Sequence, residues 1–120
     1  EAAVMPSAQS QEIIRTYSRY GREAVIVLGQ LIRIKRIERK LSVAQLAERV
    51  GASRDLMQRI EKGDPRCGIG IVFEAAAVVG VALFEGNLGQ LTMRAGENDE
   101  KLRLLPKSIR KSNTAVKDDF

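Results

Sequence analysis

Residues 42–63 read SVAQLAERVGASRDLMQRIEKG. The spacing of the apolar residues in this stretch predicts two short helices joined by a tight turn. Ser42 is a good N-cap residue, and Gln45 three positions later completes a capping box for the first helix. Gly51 can adopt the left-handed conformation that ends a helix, and Ser53 can cap the second one. The stretch therefore predicts a helix-turn-helix unit.

Each of the two predicted helices has an apolar face and a polar face. The inward residues share helical spacing and are Val43, Leu46, Ala47 and Val50 on the first helix, then Met57 and Ile60 on the second. The outward residues of the second helix are polar or basic and are Arg54, Asp55, Gln58, Arg59 and Lys62. A short helix that lies across another and has such an outer face suits the major groove of DNA.

Composition favours a small all-α domain, and its charge leaves the question of a polyanionic partner open. Aromatic residues make up 4% of the 120-residue chain, so its core is expected to be aliphatic. The net charge of +5 favours nucleic acid as a partner, although basic proteins that bind none also exist. One cysteine, Cys67, excludes an intramolecular disulfide and indicates a cytoplasmic location.

Several function classes find no support in the sequence. No apolar run approaches the roughly 20 residues of a membrane span, so we expect no membrane partner. The chain contains no His, no cluster of metal-ligand residues and no glycine loop that cradles phosphate. We therefore predict a protein that is not an enzyme and that has no cofactor, metal or catalytic residue.

The chain divides into three predicted segments. Residues 1–22 form an N-terminal extension with a short helix over 11–20, residues 23–92 form the helix-turn-helix domain, and residues 93–120 form a basic, largely disordered tail. The domain is predicted to hold five helices: 23–39, the two of the opening stretch, 69–79 with Val72, Phe73, Ala76 and Val79 inward, and 83–91. The helix over 23–39 is apolar on more than one side, so a second side is expected to meet the N-terminal segment or a second subunit.

The segment from about Leu28 to Leu83 resembles the Xre type of helix-turn-helix domain, found in phage Cro and repressor proteins. The resemblance is carried by Leu28-Gly29, Leu41-Ser42, Gln45-Leu46-Ala47, Val50-Gly51, Ser53-Arg54, Arg59 to Gly63, and Gly80-Val81. It implies a five-helix Cro/repressor-like domain, here with an extra N-terminal helix and a flexible C-terminal tail. It also implies a homodimer that binds operator DNA and often represses its own operon.

A narrower resemblance is to the HipB-type antitoxin branch. It is carried by Gly63-Asp64-Pro65, by Gly68-Ile69-Gly70, and by the basic stretch Leu104 to Lys111 before the terminal Asp118-Asp119-Phe120. The branch implies a HipA-like kinase toxin as a partner. The residues expected to contact it are apolar or basic and lie in the tail: Leu104, Leu105, Lys107, Arg110, Lys111 and Phe120.

The resemblance places the recognition helix at Ser53 to Glu61. Arg54 can pair with guanine, or it can contact phosphate or remain solvated. Asp55 can accept from the cytosine amino group, yet the helix dipole alone favours an acid in the first turn. Leu56 can contact a thymine methyl group or pack under the neighbouring loop.

The remaining candidate DNA contacts surround those first-turn residues. Arg59 can reach DNA or pair with Glu48, and Lys62 at the helix end should reach phosphate, while Gln58 lies on the same helix. Phosphate contacts are also expected from residues near the helix N-termini and from the end of the preceding basic run: Ser42, Gln45, Ser53, Arg39 and Lys40. Many family members have Gln where this chain has Val43, which cannot contact phosphate; Gln45 can substitute or serve only as a cap.

The basic run Arg33, Lys35, Arg36, Arg39 and Lys40 is for the most part expected to be a solvated face.

Together these features predict a sequence-specific repressor, and more narrowly an antitoxin that represses its own operon. Two alternatives stay open: a stand-alone phage-type or metabolic regulator, and a protein-interaction module that uses the helix-turn-helix only as a scaffold.

Overall fold

The computed structural model describes residues 16–84 and 86–109, and within them every regular element is an α-helix. The five helices are α1 Arg19–Glu38, α2 Val43–Val50, α3 Arg54–Glu61, α4 Ile69–Val79 and α5 Leu88–Leu104. They form two compact units, one ending at Leu83 and the other beginning at Phe84. The all-α, five-helix prediction is confirmed. Helices α1 to α4 belong to the first unit and α5 to the second.

The core of the first unit draws on all four of its helices. Its buried residues are aliphatic or small: Ile32, Leu46, Ala47, Met57, Ile60, Ala75, Ala76 and Val79. Helix α2 packs against α3 and α4, and α1 packs against the same two helices. The inward stripes predicted for the opening stretch are confirmed, since Leu46, Ala47, Met57 and Ile60 are buried and Val43 and Val50 pack against them.

The inner face of α4 differs from the prediction at one position. Phe73 was expected to point inward, but it is 38% exposed, and Ala75 is buried instead. Residues 72, 75, 76 and 79 follow the i, i+3, i+4, i+7 pattern of a single helix face, and position 73 lies to one side of it. The expectation for Phe73 was therefore wrong.

The predicted caps of α2 and α3 are present. Ser42 Oγ accepts the Gln45 N–H at 3.0 Å, and Gln45 Oε1 accepts the Ser42 N–H at 2.8 Å. Gly51 ends α2 in the left-handed conformation at φ 83°. Ser53 Oγ accepts the Leu56 N–H at 3.0 Å, which starts α3 at Arg54. Local polar groups thus define both helices and the turn between them.

Helix α1 begins earlier than expected. Gly21 was expected to separate a short helix from the long one, but Ser18 caps a continuous helix and its Oγ accepts the Gly21 N–H at 3.0 Å. Residues 16–18 are not helical, and residues 11–15 of the predicted short helix lie outside the described residues. Among the described residues nothing buries the second apolar side of α1, where Val27 is 49% and Ile34 is 48% exposed.

Helix α5 is longer than expected. The sequence predicts an end of this helix near Leu91, whereas the helix runs from Leu88 to Leu104. Asn87 caps it, with Asn87 Oδ1 accepting the Gln90 N–H at 3.0 Å and Gln90 Oε1 accepting the Asn87 N–H at 2.9 Å. The polar composition after Met93 therefore belongs to an exposed helix, and the residues from 93 to 104 that we assigned to a disordered tail are helical.

Candidate nucleic-acid interface

The C-terminal end of α3 is fixed by an ion pair inside the first unit. Arg36 Nε lies 2.6 Å from Glu61 Oε2, and Arg36 Nη2 lies 3.0 Å from Glu61 Oε1. Arg36 Nη1 also donates to the Leu41 carbonyl oxygen at 2.8 Å. A bidentate pair has a defined orientation, so one guanidinium connects the end of α1, the segment before α2 and the last residue of α3.

Two glycines bring the same end of α3 close to α1. A Cβ atom on Gly29 would lie 2.5 Å from the Ile60 carbonyl oxygen, so only glycine allows this approach. Gly63, at φ 79°, follows α3, and a Cβ atom there would lie 2.8 Å from Ile26 Cα. The end of α3 is therefore held against α1 by backbone contact and by the ion pair.

The opposite face and the N-terminal end of α3 face solvent. Arg54, Asp55 and Arg59 on the helix are exposed, and so is Lys62 at its C-cap. Gln58 is half-buried. The structure thus brings three cationic side chains and one carboxylate together on one short helix whose far end is fixed.

Leu56 is half-buried and packs against the core. This position supports the packing alternative over contact with a thymine methyl group. Arg59 forms no ion pair with Glu48 among the described residues; Glu61 is the acid of this region that is paired, with Arg36. An ion pair with Glu48 therefore does not hold the Arg59 guanidinium against α2.

The N-terminal ends of α2 and α3 both carry an exposed serine. The oxygens of Ser42 and Ser53 accept backbone N–H groups, which leaves each hydroxyl hydrogen able to donate. Gln45 is exposed, and its Oε1 is occupied by the capping box while its amide N–H groups can still donate. Val43 packs against the core. It therefore has a structural role at the position where related domains often have a phosphate-contacting Gln.

The basic run on α1 divides into different environments. Arg33 is exposed, and Lys35 Nζ lies 3.6 Å from Glu38 Oε1 on the surface, in agreement with a solvated face. Arg36 departs from that expectation because it is buried in the Glu61 pair. Arg39 and Lys40 are both exposed, and the Arg39 guanidinium lies beside Gly80, the residue that ends α4. A cation there faces the negative end of the α4 dipole.

The loop from α3 to α4 contains an ion pair between Asp64 and Arg66. Arg66 Nε donates to Asp64 Oδ1 at 3.1 Å, and the Arg66 backbone N–H donates to the same oxygen at 2.9 Å. The side-chain bond and then the backbone bond hold the pKa of Asp64 below its ordinary value. Cys67 is half-buried, and burial raises the pKa of its thiol. A raised thiol pKa argues against a reactive cysteine here.

The residues predicted to contact a protein partner are placed only in part. Leu104 ends α5 and is 81% exposed, while Leu105 is its C-cap and is 48% exposed. Lys107 is also exposed. Arg110, Lys111 and Phe120 lie outside the described residues.

Sequence reasoning missed Arg36, Glu61 and Gly29 as determinants of the interface. Their signal was the spacing: Leu28, Ile32 and Arg36 are four residues apart, and Glu61 follows the buried Ile60. A charged residue that continues an apolar stripe on each of two helices indicates a buried ion pair. Gly29, adjacent to the same stripe, lies on the helix surface that approaches α3.

Other kinds of site find no support in the described part of the chain. No group of three or more His, Cys, Asp or Glu side chains lies close enough together to hold a metal ion there. No described helix has the length and apolar character needed to cross a membrane.

Comparison with known proteins agrees with this architecture. Residues 27–83 match a family model described as a helix-turn-helix domain. A search of curated proteins found no match to the chain. A search of solved structures also found none. The matched segment begins within α1 and ends with the first compact unit, and helices α2 and α3 within it have the helix-turn-helix arrangement.

Proposed function

We propose that this protein is a sequence-specific DNA-binding repressor that inserts the N-terminal half of α3 into the major groove. The observation that carries the proposal is the asymmetry of α3. Its C-terminal end is fixed by the Arg36–Glu61 pair and by contact with Gly29, whereas Arg54 and Asp55 at its start are exposed. A helix held at one end and exposed at the other can present its first turn to base edges.

The surroundings of α3 fit the DNA backbone on either side of the groove. Ser42 and Ser53 stand at two helix N-termini, where hydroxyl groups and backbone N–H groups suit phosphate oxygens. Lys62 at the end of α3 is a third candidate phosphate contact. These groups position the protein, and Arg54 is the best candidate for reading a base, because arginine can donate two hydrogen bonds to guanine.

The experiment uses duplexes that the full chain itself selects from a random-sequence pool. We expect an enriched motif, and we expect Arg54→Ala to weaken binding to it by about 1–3 kcal/mol while relaxing the preference at one base position. Arg33→Ala removes the same charge from an exposed site on α1 and should leave that preference unchanged. A pool without enrichment, or an Arg54→Ala variant with unaltered preference, would contradict the proposal.

Salt dependence gives a second measure of the same interface. Each phosphate contact releases counterions, so log Kobs should fall linearly with log salt concentration. Lys62→Ala should make the slope shallower by about one unit and weaken binding to all sequences equally. An unchanged slope of log Kobs against log salt concentration would mean that Lys62 does not contact the DNA backbone.

We further propose that this repressor is the antitoxin of a HipA-like kinase toxin and regulates its own operon. The support is the resemblance in the loop Gly63–Gly70 and in the basic stretch from Leu104, together with the exposure of Leu104 and Lys107. A kinase-like reading frame next to this gene and co-purification of the two products are the expected results. Deletion of residues 112–120 should remove the complex if the tail holds the toxin.

Two other functions make different predictions. A stand-alone phage-type or metabolic regulator would bind its selected duplex in the same way but would have no adjacent toxin gene. A protein-interaction module is favoured by the Asp55 carboxylate on the reading face, because it repels phosphate. That module would give no gel shift with DNA from upstream of its own gene, even at low salt.

A further inference from the structure

Asp55 carries an exposed carboxylate in the first turn of α3. Within the described part of the chain this carboxylate belongs to none of the ion pairs. Arg59 lies four residues on, a spacing at which an acid and a base on one helix often pair, but here they do not. Arg54 is adjacent in sequence, and neighbouring residues of a helix do not face each other. Both oxygens of Asp55 are therefore available as acceptors.

The charge of Arg59 acts on the loop that follows α3. The hydrogen bonds from Arg66 and, less strongly, the charge of Arg59 lower the pKa of Asp64. The Arg59 carbonyl oxygen also accepts the Asp64 N–H at 3.0 Å, so the end of α3 and the start of the loop lie together. The two arginines of α3 thus leave the acid of its first turn without an ion pair.

An unpaired carboxylate on a helix in the major groove is costly unless a base donates a hydrogen bond to it. An ionised carboxylate only accepts hydrogen bonds, and its burial against DNA without a donor leaves the charge uncompensated. Phosphate oxygens repel it, and the N7, O6 and O4 atoms of the bases are acceptors too. The donors in the major groove are the exocyclic amino groups, N4 of cytosine and N6 of adenine.

Cytosine is the better match of these two bases. Adenine presents its N7 acceptor beside the N6 amino group, which repels a carboxylate, whereas cytosine presents the N4 amino group alone. Consecutive Cα atoms are about 3.8 Å apart, close to the spacing of about 3.4 Å between stacked base pairs. Arg54 and Asp55 can therefore reach neighbouring base pairs, one through guanine and the other through cytosine.

We propose that Asp55 accepts a hydrogen bond from cytosine N4 and thereby makes DNA binding sensitive to methylation of that amino group. The inference rests on the proposed function and adds a means of regulating it. In a Watson–Crick pair one N4 hydrogen bonds to guanine, so a methyl group on N4 replaces the hydrogen that points into the major groove. Methylation therefore removes the donor that Asp55 uses and places a methyl group against the carboxylate.

The experiment starts from the motif that the full chain selects from a random-sequence pool. We expect cytosine at one position of this motif. Asp55→Asn should select adenine at that position, because an amide side chain pairs with N6 and N7 of adenine. The helix dipole also favours an acid in the first turn, but that structural role predicts a change in thermal stability and none in base preference.

Synthetic duplexes test the methylation directly. Fluorescence anisotropy compares the affinity of the full chain for duplexes with cytosine, N4-methylcytosine or C5-methylcytosine at the selected position. N4 methylation should weaken binding by about tenfold, the usual effect of one wrong base pair. C5 methylation keeps both N4 hydrogens and should leave the affinity nearly unchanged.

Two alanine variants show whether the effect of the methyl group depends on Asp55. Asp55→Ala should bind the unmodified and the N4-methylated duplex equally well. Glu74→Ala removes an exposed acid from α4 and should retain the difference between the two duplexes that the original chain shows.

The results separate this inference from the proposed function. Equal affinity of the original chain for the unmodified and N4-methylated duplexes would overturn the inference and leave the proposed function standing. So would adenine at the selected position, or an Asp55→Asn variant that changes thermal stability but not the motif. A pool without any enriched motif would overturn both.

Discussion

Arg36 illustrates how much one side chain contributes to the position of α3. Arg36 lies on a basic stretch of α1 and also follows Leu28 and Ile32 at helical spacing. Its side chain can therefore be buried only if an acidic side chain from another helix neutralises its charge. Glu61 does so from α3, 25 residues along the chain. The pair connects α1 to the end of α3, so it fixes the position of the helix that we propose to contact DNA.

Loss of one member of this pair should be strongly destabilising. Arg36→Met leaves the buried Glu61 carboxylate uncompensated, and we expect the free energy of unfolding to fall by about 3–5 kcal/mol. Arg36→Met/Glu61→Leu removes both charges and should be markedly more stable than the single variant. Urea denaturation measures all three proteins; a double variant no more stable than Arg36→Met would mean that the unpaired carboxylate is not the cause.

Gly29 provides a second prediction at the residue scale. Gly29→Ala places a methyl group within 2.5 Å of the Ile60 carbonyl oxygen, so the backbone of α1 or α3 must shift. We expect a loss of about 1–3 kcal/mol, which is typical of overpacking. Gly70→Ala is the matched control, because it also lies in a helix but its Cβ atom would have no neighbour within 4 Å. Thermal denaturation should separate the two; equal melting temperatures would contradict the close approach.

The Cys67 thiol should react slowly in the folded protein. Burial raises its pKa above the ordinary value of 9.0, so less thiolate is present at any given pH. Because the pKa of the thiol is higher in the folded chain than in the unfolded chain, ionisation of the thiol favours unfolding. The contribution of the neutral thiol to the free energy of unfolding is fully present below the ordinary pKa and is lost as pH rises through the pKa of the folded state. Alkylation at pH 8, followed by mass spectrometry, should be slower in native buffer than in denaturant, and equal rates would refute the shift.

At the scale of elements, the two motif helices are defined by their ends. Each begins at a serine whose hydroxyl accepts a backbone N–H group at 3.0 Å. The signals that predicted α2 and α3 lie within a few residues of each helix, so they could be interpreted without the fold. Helix α5 carries the same kind of signal in Asn87 and Gln90, yet its polar composition led to the interpretation as a tail.

Removal of the α3 cap is the corresponding prediction. Ser53→Ala leaves the Leu56 N–H without its acceptor, and we expect a loss of about 1 kcal/mol in the free energy of unfolding. Ser108→Ala, at an exposed position after α5, should have no effect. Urea denaturation is the measurement, and equal midpoints for the two variants would show that the cap contributes little.

At the scale of the whole molecule, stability is divided unevenly between the two units. The first unit holds the buried core, whereas α5 buries none of its residues. Backbone amides of such a helix open without disrupting a core, so exchange should be fast there and slow in α3. Hydrogen exchange at low micromolar concentration measures this; α5 amides as protected as those of Ile60 would contradict it.

The amino-acid sequence alone determined the helical class, the two motif helices, their caps and the outward residues of α3 other than the half-buried Gln58. These features follow from hydrophobic period and capping, which act over a few residues and need no knowledge of distant contacts. The tertiary structure decided what anchors α3, through Arg36, Glu61 and Gly29, and it decided that Leu56 packs against the core. Those outcomes depend on which helix surfaces meet in space, and residues 25 positions apart come together only when the whole unit folds.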